Sequence, residues 1–145
     1  MRTAGRPPGK WGFWVVAEGI PIGRHFIDRE LACAGCGMIR VSLELFQLVS
    51  ILDAIRDDLG APLYVQPPHG SGCRCPEHNQ TVPGAAAVSE HVIGAAADAT
   101  CPSVLYDRLY AACERRNGDG GIGRYDDGHV HIDRGPRRRW TGGSH

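Results

Sequence analysis

Gly121-Ile122-Gly123-Arg124-Tyr125-Asp126-Asp127-Gly128-His129-Val130-His131-Ile132-Asp133 reads as two short extended runs around a turn. Asp126-Asp127-Gly128 supplies the residue types that a hairpin turn takes, so Gly121 to Tyr125 and His129 to Asp133 are expected to pair as antiparallel strands. Successive side chains of a strand face opposite sides. Val130 and Ile132 should therefore enter a core, while His129, His131 and Asp133 share the other face at about 6 to 7 Å per pair. A face of this kind is either solvated or a place for chemistry. A second segment upstream, His91 to Asp98, again pairs an imidazole with a carboxylate and tips the reading toward chemistry.

Between His91 and Asp98, Gly94 lets the chain turn, and Ala95 to Thr100 is a strand candidate. Outward from there, Leu45, Leu48, Val49, Leu52, Ile55 and Leu59 recur at helical spacing, with Ser42 as N-cap and Gly60 and Pro62 ending the run. Pro102 opens another helix, with Leu105, Leu109, Ala112 and Cys113 on one face and Asn117-Gly118 at its end. Leu63 to Gln66 is a short strand candidate, Pro67 to Gly72 a loop, and Pro76 to about Val82 a short helix before a turn at Pro83-Gly84. Residues 1–24 show no clean period and read as a lead-in whose aromatic residues dock on the body; 25–145 read as one domain. The expected fold is α+β, with a small, mainly antiparallel sheet and flanking helices.

Sixteen basic and sixteen acidic side chains cancel, which leaves no sustained positive field for a nucleic-acid backbone. The basic clusters at Arg2, Arg6 and Lys10 and at Arg137, Arg138 and Arg139 read as solvated ends. No run is long and apolar enough to span a membrane, and Glu18 interrupts the apolar run from Trp11 to Val16, against a secretory signal. Six cysteines include Cys33-x-x-Cys36 and Cys73-x-Cys75, a set open to a second, structural zinc site, to disulfides or to free thiols. Cys113 reads as core, and His25, His69 and His78 as surface or hydrogen-bonded residues.

Two imidazoles and a carboxylate from separate segments are a donor set for zinc. With His91, Asp98 and His131 alone, a fourth corner stays open for water and the site is catalytic. With His129 added, the shell closes and the site is structural. Spacing leaves both arrangements open.

Four ordered motifs then carry a resemblance. They are Ser71-Gly72-Cys73-Arg74-Cys75-Pro76-Glu77-His78-Asn79, Ser89-x-His91-x-x-Gly94-x-Ala96-x-Asp98, Gly121 to Tyr125, and His129-Val130-His131-Ile132-Asp133, with Phe26 to Cys33 as an opening segment. Together, over about Phe26 to Trp140, the chain resembles the zinc D-alanyl-D-alanine carboxypeptidase family. That family includes murein endopeptidases and phage endolysins and shares its metal-site architecture with lysostaphin and hedgehog domains. The resemblance implies Zn2+ held by His91, Asp98 and His131, and a peptidoglycan stem peptide cut beside D-alanine. It implies that Arg74 contacts the substrate carbonyl or carboxylate and that His129 stands beside the reaction centre. Members place a general-base carboxylate three residues before the last zinc histidine, where this chain has Gly128. Asp127 is the expected base, with Asp126 or His129 as substitutes. A module that keeps zinc but binds without cutting is the alternative. A monomer is expected, acting on the cell wall if exported or if released as a phage or prophage lysin.

Overall fold

The computed structural model describes residues 12–65, 72–81, 90–92 and 94–142. The loop with His69, the turn at Pro83-Gly84, the basic cluster up to Lys10 and the side chain of His78 lie outside the described residues. The elements are β1 (Phe13–Val16), α1 (Asp28–Leu31), β2 (Met38–Val41), α2 (Leu43–Leu59), α3 (Pro76–Asn79), β3 (Ala96–Ala99), α4 (Tyr106–Arg116), β4 (Gly121–Tyr125), β5 (Val130–Asp133) and β6 (Arg138–Gly142). The class is α+β, as the periodicities predict.

Helix α2 forms where its pattern places it. Ser42 Oγ accepts the Leu45 N–H, and Gly60 ends the helix in the left-handed region at φ 62°, its N–H donating to the Arg56 carbonyl. Leu45, Leu48, Leu52 and Ile55 are fully buried against Leu109, Ala112 and Cys113 of α4 and against Ala97, Ala99, Ile122, Val130 and Ile132 on one face of the main sheet. Leu105 does not join that face. It stands at the N-cap of α4, 77% exposed, because the helix starts one residue later at Tyr106.

The sheet has the order β3-β5-β4-β6, antiparallel except for the parallel pair β4–β6. Its register aligns residues in rows. Asp98, His131, Gly123 and Trp140 form one row across the four strands, and Ala96, Asp133, Gly121 and Arg138 form the next on the same face. Both β4 positions in these rows are glycine, so side chains of β5 and β6 meet across β4 with nothing between them. Arg138 reaches Asp133 this way at 2.8 Å, and the Trp140 ring lies 5.2 Å from that of His131.

Several elements differ from expectation. β1 and β2 pair antiparallel as a separate two-stranded sheet, and Trp14 packs half-buried against the core. Residues 63–65 make only an isolated bridge, Tyr64 to Thr100, at the end of β3. The basic end is no solvated tail: Arg138 and Arg139 belong to β6, and Arg139 holds Glu114 of α4 at 2.9 Å. His25 is hydrogen-bonded as expected, its Nε2 2.7 Å from Asp57.

Asp58 ties the ends of α2 and α4 by accepting from Arg116 (Nη2 at 2.7 Å, Nε at 2.8 Å) and from Arg115 (3.0 Å). The hydrogen bonds from Arg116, then those from Arg115, outweigh partial burial and hold its carboxyl down at about 2, against an ordinary 3.8. A depressed folded value means a contribution fully present above the ordinary value and lost as the pH falls through about 2. Asp58→Asn should lower stability by about 1 kcal/mol at neutral pH, a shift of roughly 2 to 4 °C in Tm. Thermal melts of both proteins should converge as the pH is lowered toward about 2.

Candidate metal centre

Asp98 and His131 are backbone partners on adjacent strands, which sets their side chains together on the face away from the core. His131 Nδ1 stands 2.9 Å from Asp98 Oδ1. His91 arrives from the turn before β3. There its carbonyl accepts the N–H groups of Arg74 (3.0 Å) and Gly94 (3.2 Å), and Gly94 adopts φ 75°, a conformation that favours glycine. The His91 Nδ1–H donates to the Gly72 carbonyl at 2.6 Å, which turns Nε2 toward Asp98 Oδ2 at 3.4 Å. One donor atom from each of His91, Asp98 and His131 lies within 4.8 Å of the others, and all three residues are buried.

Burial pushes the His91 imidazole down, opposed by the Asp98 carboxylate. Burial would also raise Asp98, but His91 and His131 hold it well below the usual carboxylate range. His131 feels burial in the same downward sense, yet its bonds to Asp133 and Asp98 push it up to about 9. Without a metal, a proton on His131 thus balances the carboxylates in a water-poor site.

A divalent cation fits the same place. Nitrogen and oxygen ligands about 2.0 to 2.1 Å from a tetrahedral zinc stand roughly 3.4 Å apart, close to the 2.9 and 3.4 Å separations from Asp98 to His131 and His91. Both histidines also have their second nitrogen held by an acceptor, as zinc-binding histidines do. For His91 the acceptor is the Gly72 carbonyl; for His131 it is Asp133, whose Oδ2 takes the Nε2–H at 2.8 Å. Asp133 is wholly buried and further held by the Gly135 N–H (2.9 Å) and Arg138. Burial raises its carboxyl, but His131 and then Arg138 bring it down to about 2. Asp133→Asn should weaken zinc binding by about 10- to 100-fold, read by competition with a chelating dye. Unchanged affinity would mean that this acceptor does not tune the imidazole.

His129 lies outside the set of three, its Nε2 3.9 Å from Asp98 Oδ1. Its Nδ1–H donates to Asp127 at 2.5 Å, the same carboxylate oxygen accepts the His129 backbone N–H at 3.1 Å, and the ring stacks on Tyr125 at 4.2 Å between centroids. The Asp127 carboxylate is therefore engaged with His129. Asp126 is exposed on the turn. Gly128 has φ 99°, which suits glycine at the tip and disfavours any carboxylate residue there. Arg74 is buried, its Nη1 donating to Asn79 Oδ1 at 3.0 Å; burial lowers its pKa, and the Asp98 charge opposes the shift.

Sequence reasoning missed three supporting residues. The Tyr106 hydroxyl donates to the His129 carbonyl (2.9 Å) and accepts the Tyr125 N–H (3.1 Å), fastening the hairpin to α4. Trp140 donates through Nε1 to the Tyr125 hydroxyl at 2.9 Å, and Arg138 holds Asp133. A signal for the last two was present in the alternate glycines of Gly121-Ile122-Gly123, which leave room for neighbours on both sides.

An α+β domain that gathers two imidazoles and one carboxylate on the sheet face turned away from its core carries the donor set of a mononuclear metal site. The sequence model of the peptidase M15 family matches residues 24–133, and the chain belongs to that family of zinc-dependent peptidases. Comparison with curated proteins gives no match. Among the described residues, no helix is long and apolar enough to cross a membrane.

Proposed function

We propose that the chain is a zinc peptidase that hydrolyses the bond beside D-alanine in peptidoglycan stem peptides, as a D-Ala-D-Ala carboxypeptidase or a murein endopeptidase. The observation that carries this reading is a three-donor cluster with an oriented imidazole beside it. His91, Asp98 and His131 hold the ion, which when bound polarises a carbonyl and lowers the pKa of its water to about 7. His129, its Nδ1 proton fixed on Asp127, presents Nε2 as the acceptor for the proton of the attacking water and returns that proton to the leaving amine. Asp127 is thus a positioning residue in this reading, and His129 takes the role of base. Arg74 supplies positive charge for the substrate's carboxylate or for the developing oxyanion. The enzyme acts as a monomer on the cell wall.

Gly128, standing where family members carry a carboxylate, favours a second reading in which the domain binds peptidoglycan without cutting it. Zinc-loaded protein with a purified stem pentapeptide separates the two. Release of D-alanine or of new amino groups is expected, abolished by a chelator and restored by zinc. His129→Ala should lower kcat by about 100- to 10,000-fold with zinc retained. Binding of peptidoglycan with no hydrolysis by fully zinc-loaded protein would establish the binding module instead.

A further inference from the structure

We propose that Cys33, Cys36 and Cys75 form a second metal site, a thiolate site for zinc that is separate from the histidine cluster and structural in role. One sulfur from each lies within 4.8 Å of the other two, and no disulfide joins them. The three come from two segments that the fold brings together deliberately. Cys33-Ala34-Gly35-Cys36-Gly37 is a tight turn leading into β2, closed by the Gly37 N–H on the Cys33 carbonyl (2.8 Å) and the Cys33 N–H on the Met38 carbonyl (2.7 Å). Gly37 takes φ 75°, which this turn requires. The second segment is docked by the Cys73 N–H on the Leu31 carbonyl at 2.8 Å, which carries Cys75 against Cys33.

Hydrogen bonding at one sulfur supports the reading independently. Cys33 Sγ accepts the backbone N–H groups of Gly35 and of Cys75, each at 3.3 Å, one from either segment. Two N–H donors aimed at a sulfur stabilise it as a thiolate, the form that binds metal, and they perform the outer-shell task known from zinc sites. Cys73, although two residues from Cys75, is not a ligand: its sulfur falls outside the set and its side chain packs in the core. Three sulfurs leave one corner of a tetrahedron. Cys36 and Cys75 line a groove of about 660 Å³ together with Trp14, Met38 and Glu77, from which water or a carboxylate completes the shell. Binding releases the thiol protons to solvent and involves no redox step.

The position gives the site its purpose. Gly72, whose carbonyl orients His91, and Arg74 belong to the same segment as Cys75. A metal joining Cys75 to the Cys33–Cys36 turn would clamp that segment to the body of the domain.

The full chain, purified under reducing conditions and loaded with zinc, should hold two equivalents. Cys36→Ser, at an exposed position, and His131→Ala should each hold one. Cobalt-loaded wild type should show thiolate-to-cobalt charge-transfer absorption in the near ultraviolet, kept in His131→Ala and lost in Cys36→Ser. The thiolate band does not depend on the histidine cluster binding metal, so the two assignments fail separately. Absence of that band in cobalt-loaded wild type, or a disulfide between any two of these cysteines in reduced, metal-loaded protein, would overturn the proposal.

Discussion

His91→Ala and His131→Ala are each expected to cost the histidine cluster its zinc and to reduce hydrolysis of a stem peptide by roughly a thousandfold or more, since the water then regains an ordinary pKa and the carbonyl loses its Lewis acid. The two variants should part company in stability. Removing His131 strips Asp98 and Asp133 of the cation between them, and both carboxylates stay buried. An unpaired buried charge of this kind costs about 3 to 5 kcal/mol, moderated here by Arg138 on Asp133. Removing His91 takes the imidazole donor from the Gly72 carbonyl, a loss of about 1 to 3 kcal/mol, and leaves the His131 pairings intact. His91→Ala is accordingly the cleaner experiment: zinc analysis should show the loss while circular dichroism shows a folded domain. Zinc retained at full occupancy in this cluster of the His91→Ala protein would remove it from the ligand set.

Gly121→Ala carries the second large effect, and it acts without touching a proposed ligand. A β-carbon on Gly121 would stand 2.6 Å from Asp133 Oδ1 and 2.8 Å from its carboxyl carbon. That carboxylate has no freedom to retreat, being held by His131, the Gly135 N–H and Arg138. Overpacking against a fixed group and the loss of a buried charged hydrogen bond should together destabilise the domain by about 3 kcal/mol. Zinc affinity should fall by about 10- to 100-fold as the His131 imidazole loses its acceptor. Chemical denaturation and a metal titration read the two effects separately. A Gly121→Ala protein of wild-type stability would show that Asp133 can move, contrary to its threefold anchorage.

The parts of the fold that could be read in advance are those written in local pattern. Helix α2 has a cap, a period and a stop in one uninterrupted run, and the β4–β5 hairpin has its turn residues and alternation within thirteen positions. The elements that escaped are held by distant partners. β6 pairs parallel with β4, a connection without a turn signature, and its arginines look like a tail until Asp133 and Glu114 are seen beside them. β1 and β2 have four residues each and little pattern to detect.

The site divides in the same way. His129, His131 and Asp133 share a face because strand alternation makes them do so, and the proximity of His91 and Asp98 was suggested by their motif. The pairing of Asp127 with His129 could not be foreseen, because the side-chain direction of a turn residue depends on the φ of Gly128 next to it. Tyr106, twenty-three residues from the carbonyl it fastens, has no local signal at all.

The bare row on β4 makes that strand a spacer. Neighbouring strands lie about 4.8 Å apart, so anything on the terminal strand must stretch over roughly twice that distance to act on the histidine strand. Only the bulkiest and longest side chains bridge such a gap, and the bridging positions are filled by an indole and a guanidinium, Trp140 and Arg138. Both lie past residue 133, where the family match stops. Trimming this molecule to its matched core would therefore strip the indole from beside His131 and leave its deepest acid, Asp133, with one of its two counter-charges.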